Sequence, residues 1–474
     1  METLAGMEGY DVYERSRRRV AETEIAMVRG PGGKFLYLSQ ALPGFQGDTL
    51  PDGGILCPLI PENARALMNL LPELRPRRLP DGPSFGFGDR LGLATPGHIR
   101  AVRGTRVFPV LAQQSVRENA RTGRTFAQVL ADAVFGALQE GYAEGYAADA
   151  DHLKSVKDAL EAAELGYTFF TCDPSDHVIA AEKLPGRELE RRFSSLPNRG
   201  ELEREYLDRT FEVKGLGRLR FSELELARAA VKYMGAVEFA AQMYRALKEV
   251  LPEGFDFELS VDETETPTSP LEHFFVVREL QKRDVTITSL APRFSGALEK
   301  GVDYRGDLEV FRRDLRAHVA IAEALGGYRI SLHSGSDKFS LYPLFAKEAE
   351  GLFHVKTAGT SYLVALEVVA RRAPDLFREI YQLSLERFPE DRATYHLTTD
   401  LSRVPDPVSL SDEELPRLLS EPDPRQVLHV AYGSILRSPL GEELKKVLLE
   451  FEEDYAAALE AHLGRHLELL GVRG

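Results

Sequence analysis

Residues 328–339 read YRISLHSGSDKF, an apolar half followed by polar and ionisable side chains. A buried strand that ends this way is typical of a parallel sheet whose chemistry lies at the carboxyl ends of its strands. Seven further segments share the pattern, and helical stretches separate most of them. They are FGFGDRLGLAT (85–95), VFPVLAQQS (107–115), YAADADHLKS (146–155), YTFFTCDPS (167–175), FDFELSVDET (255–264), VTITSLAPRF (285–294) and LFHVKTAGT (352–360).

Eight strands that alternate with helices predict an α/β protein with a (β/α)₈ TIM-type barrel. The barrel is expected over residues 84–360, with an insertion at about 176–222. An irregular leader is expected over residues 1–83, and a mainly helical C-terminal tail over 361–474 with one more strand at 393–402. A doubly wound open sheet is the alternative, because the strand pattern alone does not show closure.

The composition fits a folded protein, since 43% of the 474 residues are hydrophobic and 28% are charged. The net charge of −15 and the lack of a basic stripe argue against a nucleic-acid binder. No segment is long and apolar enough for a signal peptide or a membrane span, which predicts a cytoplasmic protein without membrane contact. Cys57 and Cys172 form no metal or disulfide motif and are expected to be buried.

Three of the 11 histidines follow or lie in predicted strand ends. Imidazole is a common ligand of divalent cations, and three protein ligands leave a position open for substrate. His152, His333 and His354 are therefore the predicted metal ligands, with a carboxylate such as Glu263 available to complete the set. Each histidine taken singly is better explained by a hydrogen-bonded loop or core position, but this explanation is less attractive for all three together.

Paired acids also lie at strand ends. Asp149 and Asp151 precede one helix, and Asp262 and Glu263 follow the fifth strand. A carboxylate beside a cation or a second carboxylate can serve as an acid or base near neutral pH, although helix capping is the simpler role. Strict alternation along a strand puts only one of Asp262 and Glu263 towards the substrate, and Glu263 is favoured.

Four cations after strand ends are candidates for binding an anionic substrate: Lys154, Arg293, Lys338 and Lys356. Solvated or salt-bridged side chains are the alternative. The glycine-containing segments GFGDRLG and SGS lack the spacing of a P-loop or a dinucleotide fingerprint, which argues against a nucleotide cofactor.

Several long motifs resemble the tagaturonate epimerase family: FGFGDRLGLATPGH, QQSVRENARTGRT, ADADHLK, SVDETETPT, SLHSGSDKFS and HVKTAGTSY. The resemblance spans about residues 84 to 400. It implies a divalent cation (Zn, Mn, Ni or Co), held by His152, His333 and His354. It also implies that Asp151 is the proton acceptor and Glu263 the proton donor.

The family's reaction interconverts tagaturonate and fructuronate by inverting C4, and related enzymes act on the neutral ketohexose tagatose. The C4 hydrogen is not acidified by the ketone at C2. A retro-aldol route avoids this obstacle. In this route a base removes the 4-hydroxyl proton, the C3–C4 bond opens, and the aldehyde re-adds through its other face. Other metal-dependent aldolases or isomerases and a non-catalytic sugar-acid sensor are the alternative functions, and a homo-oligomer is compatible with the sequence.

Overall fold

The computed structural model describes residues 9–51 and 53–473, so residues 1–8 of the predicted leader lie outside the described residues. Its centre is a closed barrel of eight parallel strands in chain order, as the sequence predicted. The strands are β1 (Ser84–Phe87), β2 (Phe108–Ser115), β3 (Ala147–Leu153), β4 (Phe169–Cys172), β5 (Asp256–Ser260), β6 (Ser289–Ala291), β7 (Arg329–Leu332) and β8 (Phe353–Thr357). Closure between β8 and β1 excludes the doubly wound alternative.

The α-helices follow the barrel strands and form the C-terminal region. Their bounds are Pro61–Leu70, Thr95–Val102, Val116–Thr122, Phe126–Gln139, Val156–Leu165, Gly186–Ser194, Arg199–Tyr206, Glu223–Val250, Pro270–Gln281, Leu308–Ala324, Tyr342–Glu348, Thr360–Arg372, Pro374–Asp391, Pro422–Val430, Tyr432–Leu436, Pro439–Glu450 and Glu452–Leu469. Four of them begin with a reciprocal capping box, such as Ser115 with Glu118 and Ser269 with Glu272, which fixes where the helix starts. No helix in the described ranges is both long and apolar enough to cross a lipid bilayer.

The segment expected to be an irregular leader instead contains a six-stranded antiparallel sheet. Its strands are Asp11–Val12, Arg18–Val20, Thr23–Gly30, Gly33–Leu38, Asp48–Thr49 and Ile55–Cys57. The central hairpin turns at Pro31-Gly32, where Gly30 pairs with Gly33 and Gly32 has a φ of 95° that glycine tolerates. Four of the six strands are only two or three residues long, which explains why the sheet is hard to recognise in the sequence.

The expected insertion lies between β4 and the helix Glu223–Val250. It holds two α-helices and a small hairpin of Phe211–Val213 with Gly217–Leu219. The strand expected at 393–402 is wrong: this segment contains two short 3₁₀ helices, Arg392–Thr394 and Leu401–Arg403. Its side chains contact barrel loops instead of a sheet edge, since Thr398 hydrogen-bonds Glu299.

Candidate functional site

A buried ion network occupies the barrel interior beneath the strand ends. The Lys356 ammonium lies 2.6 Å from Asp149, 2.8 Å from Asp151 and 2.8 Å from Glu258. Burial lowers the pKa of Lys356, but these three carboxylates outweigh it and hold the pKa well above its usual range. Side chains from β3, β5 and β8 are thus fixed around one charge, which sets the positions of Asp151 and Glu258.

Two histidines are oriented by carboxylates of this network. Nδ1 of His152 lies 2.8 Å from Asp151 Oδ1, and Nε2 of His333 lies 2.6 Å from Glu258 Oε1. A histidine whose one ring nitrogen donates to a carboxylate presents the lone pair of the other nitrogen, as metal-ligating histidines commonly do. The other ring nitrogens, Nε2 of His152 and Nδ1 of His333, both turn towards Asp262. Nδ1 of His333 also lies 3.4 Å from Ser260 Oγ.

Asp262 completes a group of three donor atoms. Its Oδ1 lies 3.3 Å from His333 Nδ1 and 3.9 Å from His152 Nε2, and the three donors all lie within 4.8 Å of one another. Two imidazoles and one carboxylate suit Zn²⁺ and the related divalent ions, and they leave positions open for substrate. The residues therefore fit the divalent cation that the resemblance implies, with Asp262 in the place where His354 was expected.

The charges around this group favour a cation. Burial lowers the pKa of His152, but Asp151 and Asp262 outweigh it and raise the pKa to about 10. Burial likewise raises the pKa of Asp262, but His333 and His152 outweigh it and hold the pKa well below its usual range. An environment that stabilises positive charge on the imidazoles also stabilises a bound metal ion.

Local backbone geometry turns neighbouring side chains to the same side. His152 has a φ of 51°, and the pairing of β3 with β4 shifts register beside it. Such an irregularity re-aims a side chain that strict alternation would send to the outer face, so Asp151 and His152 both line the cavity. After β7, Gly335 is required because a Cβ there would meet Lys356 O at 2.9 Å and Val355 Cγ1 at 2.7 Å.

The donor group lies in a cavity of about 770 Å³ at the carboxyl ends of the strands. Asp151, Asp262, Glu263, Arg293 and Lys356 all line it. Thr394, Tyr395 and His396 show that the C-terminal region also forms part of the cavity wall. The volume is sufficient for a six-carbon sugar acid.

Asp262 and Glu263 both reach the cavity, contrary to the alternation argument. β5 ends at Ser260, so the two acids lie in a turn where the two-residue period no longer applies. Glu263 is partly exposed and pairs with Arg117 at 3.3 Å. Glu258, Ser260 and Asp262 are spaced two residues apart, which is the spacing of side chains on one face of a strand. This spacing would have pointed to Asp262 and also to Glu258, which the sequence analysis did not select.

The predicted ligand His354 does not join the group. It is the second residue of β8, its Nδ1 lies 2.9 Å from Ser84 Oγ, and its ring packs against Phe169. Burial lowers its pKa to about 3. His354 is too deep in the barrel to join the donor group. Lys356, two residues later on the same strand, lines the cavity, whereas His354 does not.

Two of the predicted substrate cations also lie outside the cavity lining. Lys154 turns to Ser175 Oγ at 2.8 Å and Asp176 at 3.1 Å. Lys338 is fully buried and donates to the backbone oxygens of Glu299, Val302 and Ser336 at 3.0, 2.6 and 2.9 Å. Burial lowers the pKa of Lys338 to about 7. Lys338 therefore fixes the loop after β6, and it is not among the residues that line the cavity.

Replacing Lys338 by methionine is expected to lower the free energy of unfolding by about 2 kcal/mol, because three buried carbonyl oxygens lose their donor. Urea denaturation followed by circular dichroism measures the change. Lys347→Met, on the exposed face of the helix Tyr342–Glu348, is the matched control and is expected to stay within about 0.5 kcal/mol of the parent. Equal stability of the two variants would contradict the structural role.

Three further features of the site were missed by the sequence analysis. Arg90 and Glu118 form a buried ion pair of 2.8 Å in the cavity wall. Lys300 and His396 line the cavity as well, from a loop after β6 and from the C-terminal region. Arg90 and His396 lie within segments that were predicted to be strands. Glu118 lies in the first turn of the helix after β2, and Lys300 lies in the loop after β6. A rule that selects polar residues at strand ends did not single them out.

Comparisons with known proteins identify a family that matches nearly the whole chain. Residues 13–470 match the sequence model of the UxaE family, described as tagaturonate epimerase. The chain is 46% identical over 476 residues to the tagaturonate/fructuronate epimerase of Thermotoga maritima, covering 98% of this chain and 97% of that protein.

Solved structures of a fructuronate-tagaturonate epimerase from Cohnella laeviribosi have the same fold. The native crystal structure aligns with a TM-score of 0.94 at 41% identity, covering 99% of this chain and 98% of that one. A glycerol complex aligns with a TM-score of 0.93 at 42% identity, over 98% and 96% of the two chains. Family match, sequence identity and fold all extend over nearly the whole chain, and the chain belongs to the tagaturonate epimerase family of isomerases.

Proposed function

We propose that this enzyme interconverts tagaturonate and fructuronate by inverting C4 with the help of a divalent cation. The observation that carries the proposal is the group of His152, Asp262 and His333 at the cavity, with the Asp151 carboxylate directly beside it. The names of the similar proteins supply the substrate pair.

His152, His333 and Asp262 would hold the cation, which would supply Lewis-acid polarisation of the sugar's oxygens. Asp151 and Glu258 hold the two imidazole rings through their outer nitrogens. Lys356 lies between these two carboxylates and holds both at fixed distances. The ligands are thus oriented before substrate enters, which is the arrangement that makes a binding site selective and reactive.

Asp151 is the proposed base. Its Oδ1 accepts from both His152 Nδ1 and Lys356 Nζ, each at 2.8 Å. Within the described residues, Oδ2 has no hydrogen-bond donor, and it is therefore the atom that would take the proton of the 4-hydroxyl group. Loss of that proton lets the C3–C4 bond open. After re-addition through the other face of the aldehyde, the new 4-alkoxide takes a proton from Glu263, and solvent then restores the protonation of the two carboxyl groups.

Glu263, which also lines the cavity, is the proposed acid. Its Oε1 lies 3.3 Å from Arg117 Nη2, so the arginine positions the carboxyl group at the rim. The side chain is 33% exposed, which allows proton exchange with solvent between turnovers. A carboxyl group on β3 and one in the turn after β5 can then serve the two faces of the bond that is broken and remade.

The test is proton NMR of tagaturonate incubated with enzyme before and after chelation. Fructuronate is expected to form with the untreated enzyme, and dialysis against EDTA is expected to lower the rate at least about 100-fold, because the Lewis acid is lost. Addition of Zn²⁺, Mn²⁺, Ni²⁺ or Co²⁺ should restore it. Full activity after verified metal removal would contradict the role of the cation.

The product spectrum separates the other functions. Three-carbon fragments would indicate an aldolase, an aldose would indicate a ketose isomerase, and unchanged tagaturonate that nevertheless binds would indicate a sensor. Any of these outcomes in metal-loaded enzyme would overturn the proposed epimerisation.

A further inference from the structure

The cations of the cavity differ in whether a carboxylate neutralises them. Six lysines and arginines line it: Arg90, Arg117, Lys183, Arg293, Lys300 and Lys356. Four form ion pairs, Arg90 with Glu118, Arg117 with Glu263, Lys183 with Glu265, and Lys356 with the three carboxylates of the buried network. These four charges are already compensated within the protein.

Lys300 and Arg293 are the remaining two, and neither forms an ion pair in the part of the chain that the structure describes. Lys300 Nζ donates to Ser334 Oγ at 2.6 Å, and Arg293 Nη1 contacts the backbone oxygen of Asp262 at 3.5 Å. The acid next to Lys300 in sequence, Glu299, is bound by Thr398 and Gln426 instead. A half-buried cation without a carboxylate partner is suited to an anion that arrives with the ligand.

The backbone that carries Lys300 is held from three sides. Lys338 donates to the oxygens of Glu299 and Val302, Gln426 Nε2 donates to Lys300 O at 3.1 Å, and Arg425 donates to Gly301 O at 2.7 Å. The ammonium group is therefore presented to the cavity from a fixed position. A preorganised cation binds its anion with a smaller loss of entropy than a free surface lysine.

The position of Lys300 relative to the donor group defines what it can contact. Ser334, its hydrogen-bond partner, directly follows His333, and Arg293 touches the backbone of Asp262. Both unpaired cations thus lie next to loops that carry the proposed metal ligands. A sugar bound with its reacting carbons at that group would place a terminal substituent within reach of them.

We propose that Lys300, assisted by Arg293, binds the terminal carboxylate of the sugar acid and so selects a hexuronate over the neutral ketohexose. This inference rests on the proposed function. It assigns to Lys300 the discrimination that the sequence analysis left open, and it explains how a protein with a net charge of −15 holds an anionic substrate.

Isothermal titration calorimetry with tagaturonate and tagatose tests the assignment, using the metal-loaded, full-length enzyme. The parent is expected to bind tagaturonate more tightly than tagatose. Lys300→Met should weaken tagaturonate binding about 30-fold and leave tagatose binding within about twofold, because one charge-assisted hydrogen bond is lost. Lys300→Arg should restore most of the preference.

Lys183→Met is the matched control, since Lys183 also lines the cavity but already pairs with Glu265. Its preference for tagaturonate should equal that of the parent. Circular dichroism checks the fold, and Lys300→Gln replaces the methionine variant if that variant precipitates. Unchanged tagaturonate affinity in the Lys300 variants, or an equal loss for both sugars, would overturn the assignment.

The binding measurement is separate from turnover. An enzyme that prefers tagaturonate through Lys300 but does not epimerise it would contradict the proposed function and leave this inference standing. An enzyme that epimerises tagaturonate with the same KM in the parent and in Lys300→Met would contradict only the inference.

Discussion

Replacing Asp151 by asparagine is expected to lower kcat about 1000-fold, with little change in metal content. The amide oxygen can still accept from His152 Nδ1 and Lys356 Nζ, which both bond Oδ1 in the parent. The group at Oδ2 becomes an amide nitrogen, which cannot take a proton from the substrate. General base catalysis typically contributes about 10²- to 10⁴-fold, so the loss should lie within that range.

Turnover by proton NMR and metal content by mass spectrometry measure the two quantities on the same sample. Asp176→Asn is the matched control, because Asp176 also contacts a lysine, Lys154, but is largely exposed and does not line the cavity. It is expected to retain the parent rate. If Asp151→Asn turned over tagaturonate at a rate close to that of the parent with its metal bound, another residue would have to be the base.

The barrel was predictable because each of its strands has a strongly apolar first half. Each of the eight segments selected from the sequence overlaps a barrel strand, from Ser84–Phe87 to Phe353–Thr357. The N-terminal sheet was not recognised, since strands such as Asp11–Val12 and Asp48–Thr49 are two residues long. The segment 393–402 has strand-like residues, but its contacts with the loop at Glu299 favour irregular structure.

The site was partly predictable for a topological reason. Carboxyl ends of parallel barrel strands converge, so Asp151, His152 and His333 come together although they are far apart in sequence. The sequence does not show so clearly how deep in the barrel each side chain of a strand lies. His354 precedes the end of β8 by three residues and lies in the interior, while Lys356 reaches the cavity.

The sequence also could not predict which groups each lysine would contact. Lys154, Lys338 and Lys300 all lie near strand ends or loops of the same barrel face. Asp176 pairs with Lys154, and backbone oxygens accept hydrogen bonds from Lys338. Of the three, only Lys300 keeps its charge available to the cavity. Such assignments depend on contacts between distant segments, including the C-terminal residues Arg425 and Gln426, which no local pattern encodes.

The choice between Asp262 and Glu263 leads to the second large expected effect. Asp262→Ala should remove most of the bound cation and lower turnover about 1000-fold. The reason is that Asp262 Oδ1 faces both His152 Nε2 and His333 Nδ1. Excess metal should restore part of the activity, since His152 and His333 remain. The measurements are metal content after dialysis and turnover as a function of metal concentration.

Glu263→Gln is the matched comparison, because it alters the neighbouring acid on the same turn. It should keep the cation and lose about 100-fold in kcat, and added metal should not restore the rate, because an amide cannot donate the proton that the carboxylic acid supplies. Its partner Arg117 lies 3.3 Å away and has a side chain that is 41% exposed. The opposite pattern, with metal lost from Glu263→Gln and retained by Asp262→Ala, would exchange the two roles. Asp262 Oδ1 lies 3.3 Å from His333 Nδ1 and 3.9 Å from His152 Nε2, which argues against that exchange. Removing Asp262 would leave only the two imidazoles to hold the ion.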